Sequence, residues 1–457
     1  MAERLVVIGG DAAGMSAASQ ARRMRDVDDL HIIVFERSGY VSYSACGEPY
    51  FVGGWVEDLD DLQVRTPEQF QARGIDTHIH HEVTAIDIDG RAVTVRHPGG
   101  EEEVGYDQLL YATGATAIRP PIEGMGLKGV HMLRTLDDAA QLRSLVSSGV
   151  ERAVVVGGGY IGLELAEAFD HVGIHTTVVT MMPTVLERTL DPDMAELVSD
   201  HMRSMGIHVE TGFKVECIAG VGGAVAGVGC DDRSFPADLV VLALGSRPQI
   251  DLAKDAGIPL GPTGAVAVDD HQRTEIAAVW SAGDCAEAHH RISRRPVNLH
   301  LGTVANKAGR VAGINLGGGD AAFPGVLGTA ITKVGDLEIS STGLTERQAA
   351  ESGIEAVAAN IESRTSANYW PGSSPMTVKA IAERNTGRLL GAQIVGGPGA
   401  GKRIDVFATA MWSGLPAHEL AWTDLSYSPP FSGVWDPVHI AARKAGEKAA
   451  GPFPSPR

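Results

Sequence analysis

Ala153-Val154-Val155-Val156-Gly157-Gly158-Gly159-Tyr160-Ile161-Gly162 passes from an apolar strand through a complete G-x-G-x-x-G turn into a helix that carries Glu164 one turn in. Such a turn sets backbone N–H groups and a helix N-terminus against a pyrophosphate, with glycines where a side chain would block the approach. One such turn is weak evidence. Near the N-terminus, however, Leu5-Val6-Val7-Ile8 leads into Gly9-Gly10-Asp11-Ala12-Ala13-Gly14 and an alanine-rich helix through Met24. Asp11 stands there in place of the second glycine. Two such units in one chain imply two dinucleotides.

The strand after each turn bears on the ribose. His31 through Phe35 ends at Glu36, which supplies the carboxylate expected on an adenosine ribose, with Arg37 beside it. Thr176-Thr177-Val178-Val179 ends instead at Thr180, where an acid would select NADH, and the nearest downstream arginine is Arg188. NADH and NADPH both stay open. Tyr106 through Ala115 and Asp238 through Gly245 read as strands closing in small-residue turns, at Thr113-Gly114 and Gly245. Val83 lies in a return strand of the first unit. Val279-Trp280-Ser281-Ala282-Gly283-Asp284 reads as the chain's return to that unit, with Asp284 placed on the cofactor and Cys285 structural.

At 457 residues the chain exceeds a single core. The order of motifs divides it into 1–118 (first dinucleotide unit), 119–246 (second), 247–322 (return to the first), 323–450 (a final α+β domain) and a disordered tail, 451–457. The fold class is α/β, with two Rossmann-like domains and a C-terminal α+β domain. A net charge of -19 disfavours binding to nucleic acid or anionic membrane. The early apolar run is too short for a signal or a span, so a cytoplasmic location is expected. Four cysteines without a CxxC argue against a metal site.

Ser42-Tyr43-Ser44-Ala45-Cys46-Gly47-Glu48-Pro49-Tyr50 holds the thiol of interest. Most free cysteines are small buried hydrophobes. A helix beginning near Ala45 would instead place Cys46 beside the cofactor with a lowered pKa, opposed only by Glu48. Ser16, Gln20 and Arg23 share one face of the first helix, a pattern expected of a solvated stripe. Tyr369 and Tyr427 fall in loops of the last domain, where packing is the usual role.

These motifs, in this order and over nearly the whole length, resemble the pyridine nucleotide-disulfide oxidoreductases. Ser42 and Cys46 in an SxxxCGxPY setting, without a partner cysteine, are similar to the single-cysteine branch. The resemblance implies bound FAD and NADH or NADPH, dimerisation through the last domain, and Cys46 as the redox centre that carries coenzyme A as a mixed disulfide. It further implies a CoA disulfide or CoA persulfide substrate, met by Ser16, Gln20, Arg23 and Ser42, with Tyr427 and Tyr369 as proton donors reaching the site of the partner subunit. Peroxidases and oxidases of the branch carry a histidine where Ala12 stands, which counts against peroxide or oxygen. An NADH oxidase or peroxidase cycling Cys46 through a sulfenic acid, and a flavin electron-transfer reductase, remain as rivals.

Overall fold

Val279–Ser281, Gln108–Tyr111, Glu3–Ile8, Leu30–Phe35 and Ile75–His78 form, in that spatial order, a parallel five-stranded sheet. The computed structural model describes residues 2–230 and 233–451; the side chain of Cys230 and the tail beyond Gly451 lie outside the described residues. Leu5, Val6 and Val7 are wholly buried. Their continuous apolar run is what a strand covered on both faces requires.

The second parallel sheet runs His208–Thr211, His175–Thr180, Arg152–Val156, Leu239–Leu242 and Val130–His131. Chain leaves and re-enters the first unit side by side, because Ala115–Ala117 pairs antiparallel with Ser246–Pro248. The third sheet is antiparallel, in the order Ala330–Val334, Leu337–Gly343, Leu389–Gly396, Pro375–Glu383 and Ala356–Arg364. Its apolar side chains share a core with Phe407 of the helix Ile404–Ser413 and with Val438 and Ala442 of Pro437–Ala450.

Helices Ala12–Met24 and Gly302–Leu316 touch backbone to backbone. A Cβ on Gly309 would lie 2.3 Å from the Ala13 carbonyl oxygen, and one on Gly313 2.3 Å from that of Ala17. Gly313→Val is therefore expected to prise the pair apart and cost about 1–3 kcal/mol, the usual range for overpacking, read as a lowered urea midpoint. Among the described residues no helix is long and apolar enough to cross a membrane.

Candidate active site

The two glycine turns are built alike. Gly9 has φ +106° and a Cβ on it would meet the Ala112 carbonyl oxygen at 2.2 Å; Gly157 has φ +123° and would meet that of Ala243 at 2.2 Å. Gly14 and Gly162 close the turns, each with its Cβ position within 2.0 Å of the first glycine's carbonyl oxygen. Neither following helix, Ala12–Met24 or Tyr160–His171, has a side chain capping its N-terminus, and open space surrounds the Cβ position of Gly159. Uncapped first-turn N–H groups beside a glycine turn fit a pyrophosphate at both places, the second turn being free of side chains and the first carrying only Asp11 ahead of its helix.

Glu36 is fixed at the first turn: Gly10 N–H donates to Oε2 and Ser38 N–H to Oε1, each at 2.8 Å. Asp11, the departure from the glycine pattern, is turned onto the cysteine loop, where its Oδ1 accepts from Tyr43 N–H at 3.2 Å. Burial, with the Glu36 charge adding to it, pushes the Asp11 carboxyl up to about 6. Thr113 Oγ1 donates to the Gln249 carbonyl at 2.8 Å, while Gly114 and Gly245 take left-handed φ of +71° and +94°. Val83 is buried in Glu82–Asp87, Arg37 and Ile161 are exposed, and Ala13 packs under Gly283. In the second unit Thr180 is buried and its Oγ1 accepts from Met182 N–H at 3.2 Å, so this hydroxyl oxygen is engaged within its own turn. Burial also pushes the Tyr160 phenol up.

Cys46 sits on one 3-10 turn, Ala45–Gly47, ahead of the short helix Glu48–Gly53. Ser42 enters that loop at φ +50°, an unusual seat for a residue with a Cβ, and its N–H donates to the Gly10 carbonyl at 2.9 Å. The thiol loop is thus fastened directly to the first dinucleotide turn. The lowered thiol pKa expected from a helix start is corrected by the structure. Although Cys46 is exposed in the single chain, surrounding protein displaces water from its thiol and pushes it up, and the carboxylates of Glu164, Glu48, Asp284 and Asp11 add to that. A single turn has little dipole to set against four acids.

Elements of the three five-stranded sheets meet here. Glu164, from the second dinucleotide helix, accepts at Oε1 from Thr332 Oγ1 of the antiparallel sheet at 2.8 Å, and burial raises its pKa. Asp284 pairs with Arg134 at 3.1 Å, and Arg134 Nε also donates to the Ala115 carbonyl. Tyr50 lies close by, its phenol pushed up to about 12 by burial and then by Glu164, Glu167 and Cys46.

The polar stripe of the first helix is not simply solvated. Ser16 Oγ donates to Asn306 Oδ1 at 2.7 Å, Gln20 is buried, and Arg23 Nη1 reaches Gln20 Oε1 at 3.4 Å. Asn306, Lys307 and Arg310 lie exposed on the partner helix Gly302–Leu316, and Asn306 and Arg310 share a face. Sequence reading passed over these three and Arg134, because nothing local marks them. Tyr369 and Tyr427 stand on adjacent exposed loops joined by Ala367 N–H to the Pro429 carbonyl, among exposed Trp370, Phe431, Val434 and Trp435. The charged groups around Cys46 are from other segments of the chain.

Residues 3–309 match the pyridine nucleotide-disulphide oxidoreductase family and 329–438 match that family's dimerisation domain, so the chain belongs to this family. It is accordingly an FAD- and NAD(P)H-dependent oxidoreductase. Among its relatives, an NAD(P)H coenzyme A polysulfide/persulfide reductase of Pyrococcus horikoshii is 40% identical over 97% of this chain and 98% of its own length. An NADH oxidase of Methanocaldococcus jannaschii is 38% identical over 97% of this chain and 99% of its own. The solved structure of a NAD-dependent persulfide reductase from A. fulgidus superimposes with a TM-score of 0.94 at 40% identity, covering 98% of this chain and 84% of that one.

Proposed function

We propose that the chain reduces CoA disulfides or CoA persulfides with NAD(P)H through Cys46, as a homodimer in the cytoplasm. The observation that carries this is one thiol, without a cysteine partner among the described residues, placed where Asp11 and Asp284 of the first unit meet Glu164 of the second. Cys285, by contrast, is fully buried and donates to the Tyr111 carbonyl. Bound FAD supplies two electrons at a time, replenished by hydride from the nicotinamide. Ser16, Gln20, Arg23 and Ser42, with Asn306 and Arg310, offer a polar, basic face for the phosphates of CoA in an otherwise acidic protein.

The protein's own part of the reaction runs through sulfur. Cys46 loses its proton, and the thiolate attacks a CoA-bearing sulfur of the substrate, forming a mixed disulfide with CoA and expelling the other sulfur, as CoA thiolate from a disulfide or as hydrosulfide from a persulfide. Two electrons then break the mixed disulfide, returning Cys46 as thiolate and releasing CoA. Tyr427 and Tyr369, delivered by the second subunit, protonate the departing sulfur. The exposed aromatic surface around them is what such a subunit would cover.

The test is intact mass of the purified protein before and after dithiothreitol, with peptide mapping. A reducible CoA adduct on Cys46 is expected. An unmodified thiol or a sulfenic acid would instead favour the second reading, an NADH oxidase, the name carried by the Methanocaldococcus relative; on that reading NAD(P)H is consumed with oxygen and no CoA is required.

A further inference from the structure

Glu48 is 3% exposed, its Oε1 has no hydrogen-bond partner, and it stands two residues from Cys46 at the start of Glu48–Gly53. A carboxylate buried without a partner is so unfavourable that the group keeps its proton instead. Burial does push the Glu48 carboxyl up to about 8, against the pull of Arg134 and helped by Asp138 and Asp11. Arg134 offsets this only in part, since its guanidinium is shared with Asp284 and the Ala115 carbonyl.

The elements packed around Glu48 supply few other cations. The helix Leu136–Ser147 brings Asp138 and Arg143, the latter donating to the carbonyls of Phe51 and Val52 at the far end of the short helix. The helix Tyr160–His171 brings Glu164, Glu167 and His171, and His171 stacks on Trp55. Asp11, Tyr43 and Tyr50 lie close as well, and Lys333, beyond Glu167, is ion-paired with that carboxylate and lies over the Trp55 ring. Glu48 is thus held in a water-poor, acid-rich place two residues from the exposed Cys46, as a carboxyl group that can stay there comfortably only when neutral.

We propose that Glu48 is a positioning residue for the Cys46 thiolate: as the neutral acid it lets the thiolate form, and once ionised it opposes it. Two coupled protons then set the reactivity of this thiol. The proposal rests on Cys46 being the redox centre and not on CoA being its substrate.

As pH rises, Glu48 ionises first and its charge drives the Cys46 titration further upward. Glu48→Gln keeps the shape and hydrogen-bonding capacity of the acid but never ionises. Reduced, flavin-loaded protein would be alkylated with iodoacetamide between pH 6 and 10, the rate at Cys46 being read by peptide mass. In Glu48→Gln the half-maximal rate should fall about half to one pH unit lower, with about three- to tenfold faster alkylation on the rising limb, the effect of removing one nearby charge. The unaltered protein should show a limb broader than one proton, and Glu48→Met should behave as Glu48→Gln does. Coincident profiles, or a Glu48→Gln limb moved upward, would overturn the proposal. If neither variant folds, a one-proton limb in the unaltered protein overturns it and a two-step limb supports it. Failure to find CoA on Cys46 would leave this titration untouched, so the two ideas fail separately.

Discussion

Cys46→Ser is expected to lower NAD(P)H-driven reduction of CoA disulfide by about 10³-fold or more, the scale on which removal of a covalent nucleophile acts. Flavin content should stay unchanged. The first glycine turn, with Gly9, Gly14 and Glu36, is the proposed seat of the cofactor, and the cysteine loop meets it through Ser42 and Tyr43 rather than through the thiol. A serine hydroxyl keeps the size of the side chain but cannot form or release a disulfide. Steady-state turnover with CoA disulfide, and flavin absorbance of the same preparation, decide the matter. Full turnover in the serine protein would sink the scheme and point to an acceptor that takes electrons from the flavin without the thiol. Loss of flavin along with activity would instead show that Cys46 holds the fold of the loop.

The glycine turns could be read in advance because the requirement is local: a residue at φ above +100° with a carbonyl oxygen 2.2 Å from its Cβ position can only be glycine. The same is true of strands buried on both faces, whose apolar runs need no partner to be recognised. The Cys46 environment was not legible in that way. Its local rule, a thiol at a helix start, points to a lowered pKa, whereas the surrounding protein raises it by displacing water, the carboxylates of Glu164 and Asp284, far along the chain, add to that, and the helix there is a single turn. Ser16 and Asn306 are 290 residues apart, and Arg134 and Asp284 are 150 apart. Polar residues at that separation declare a role only once two helices or two sheets have been brought together. Glu48 raised an evident conflict with its neighbour in sequence, and burial, which no pattern reports, resolves it.

Lys379→Met is expected to cost about 2–3 kcal/mol, below the roughly 3–5 kcal/mol usual for breaking a fully buried ion pair, because Asp191 is buried with the lysine while water screens the half-exposed Asp193 and Glu346. The ammonium is buried on Pro375–Glu383 and meets Asp191 at 3.2 Å, Asp193 at 2.8 Å and Glu346 at 2.6 Å. Asp191, itself buried, is the N-cap of Pro192–Met205 in the second dinucleotide unit and also accepts from Gln393 Nε2 at 2.7 Å. One lysine thus clasps that unit to the antiparallel sheet, and methionine would leave the acids facing each other. The pH dependence follows from the shifts. Burial alone would lower the Lys379 pKa, but hydrogen bonds to Asp193 and Glu346 raise it, so its contribution persists through neutrality and is lost only in strong alkali. Burial would raise Asp193, but Lys379 and Asn360 lower it, so that share is lost only in acid, as pH falls through the depressed pKa. The deficit of the methionine protein, measured by urea unfolding, should accordingly be flat from about pH 5 to 9 and shrink in stronger acid, where the acids regain protons. A deficit under about 1 kcal/mol would mean that the clasp is relaxed in solution. Because Glu164 and Thr332 hydrogen-bond across the same boundary, the loosened protein should also align the second unit less well with Cys46 and turn over more slowly at temperatures where it is still folded.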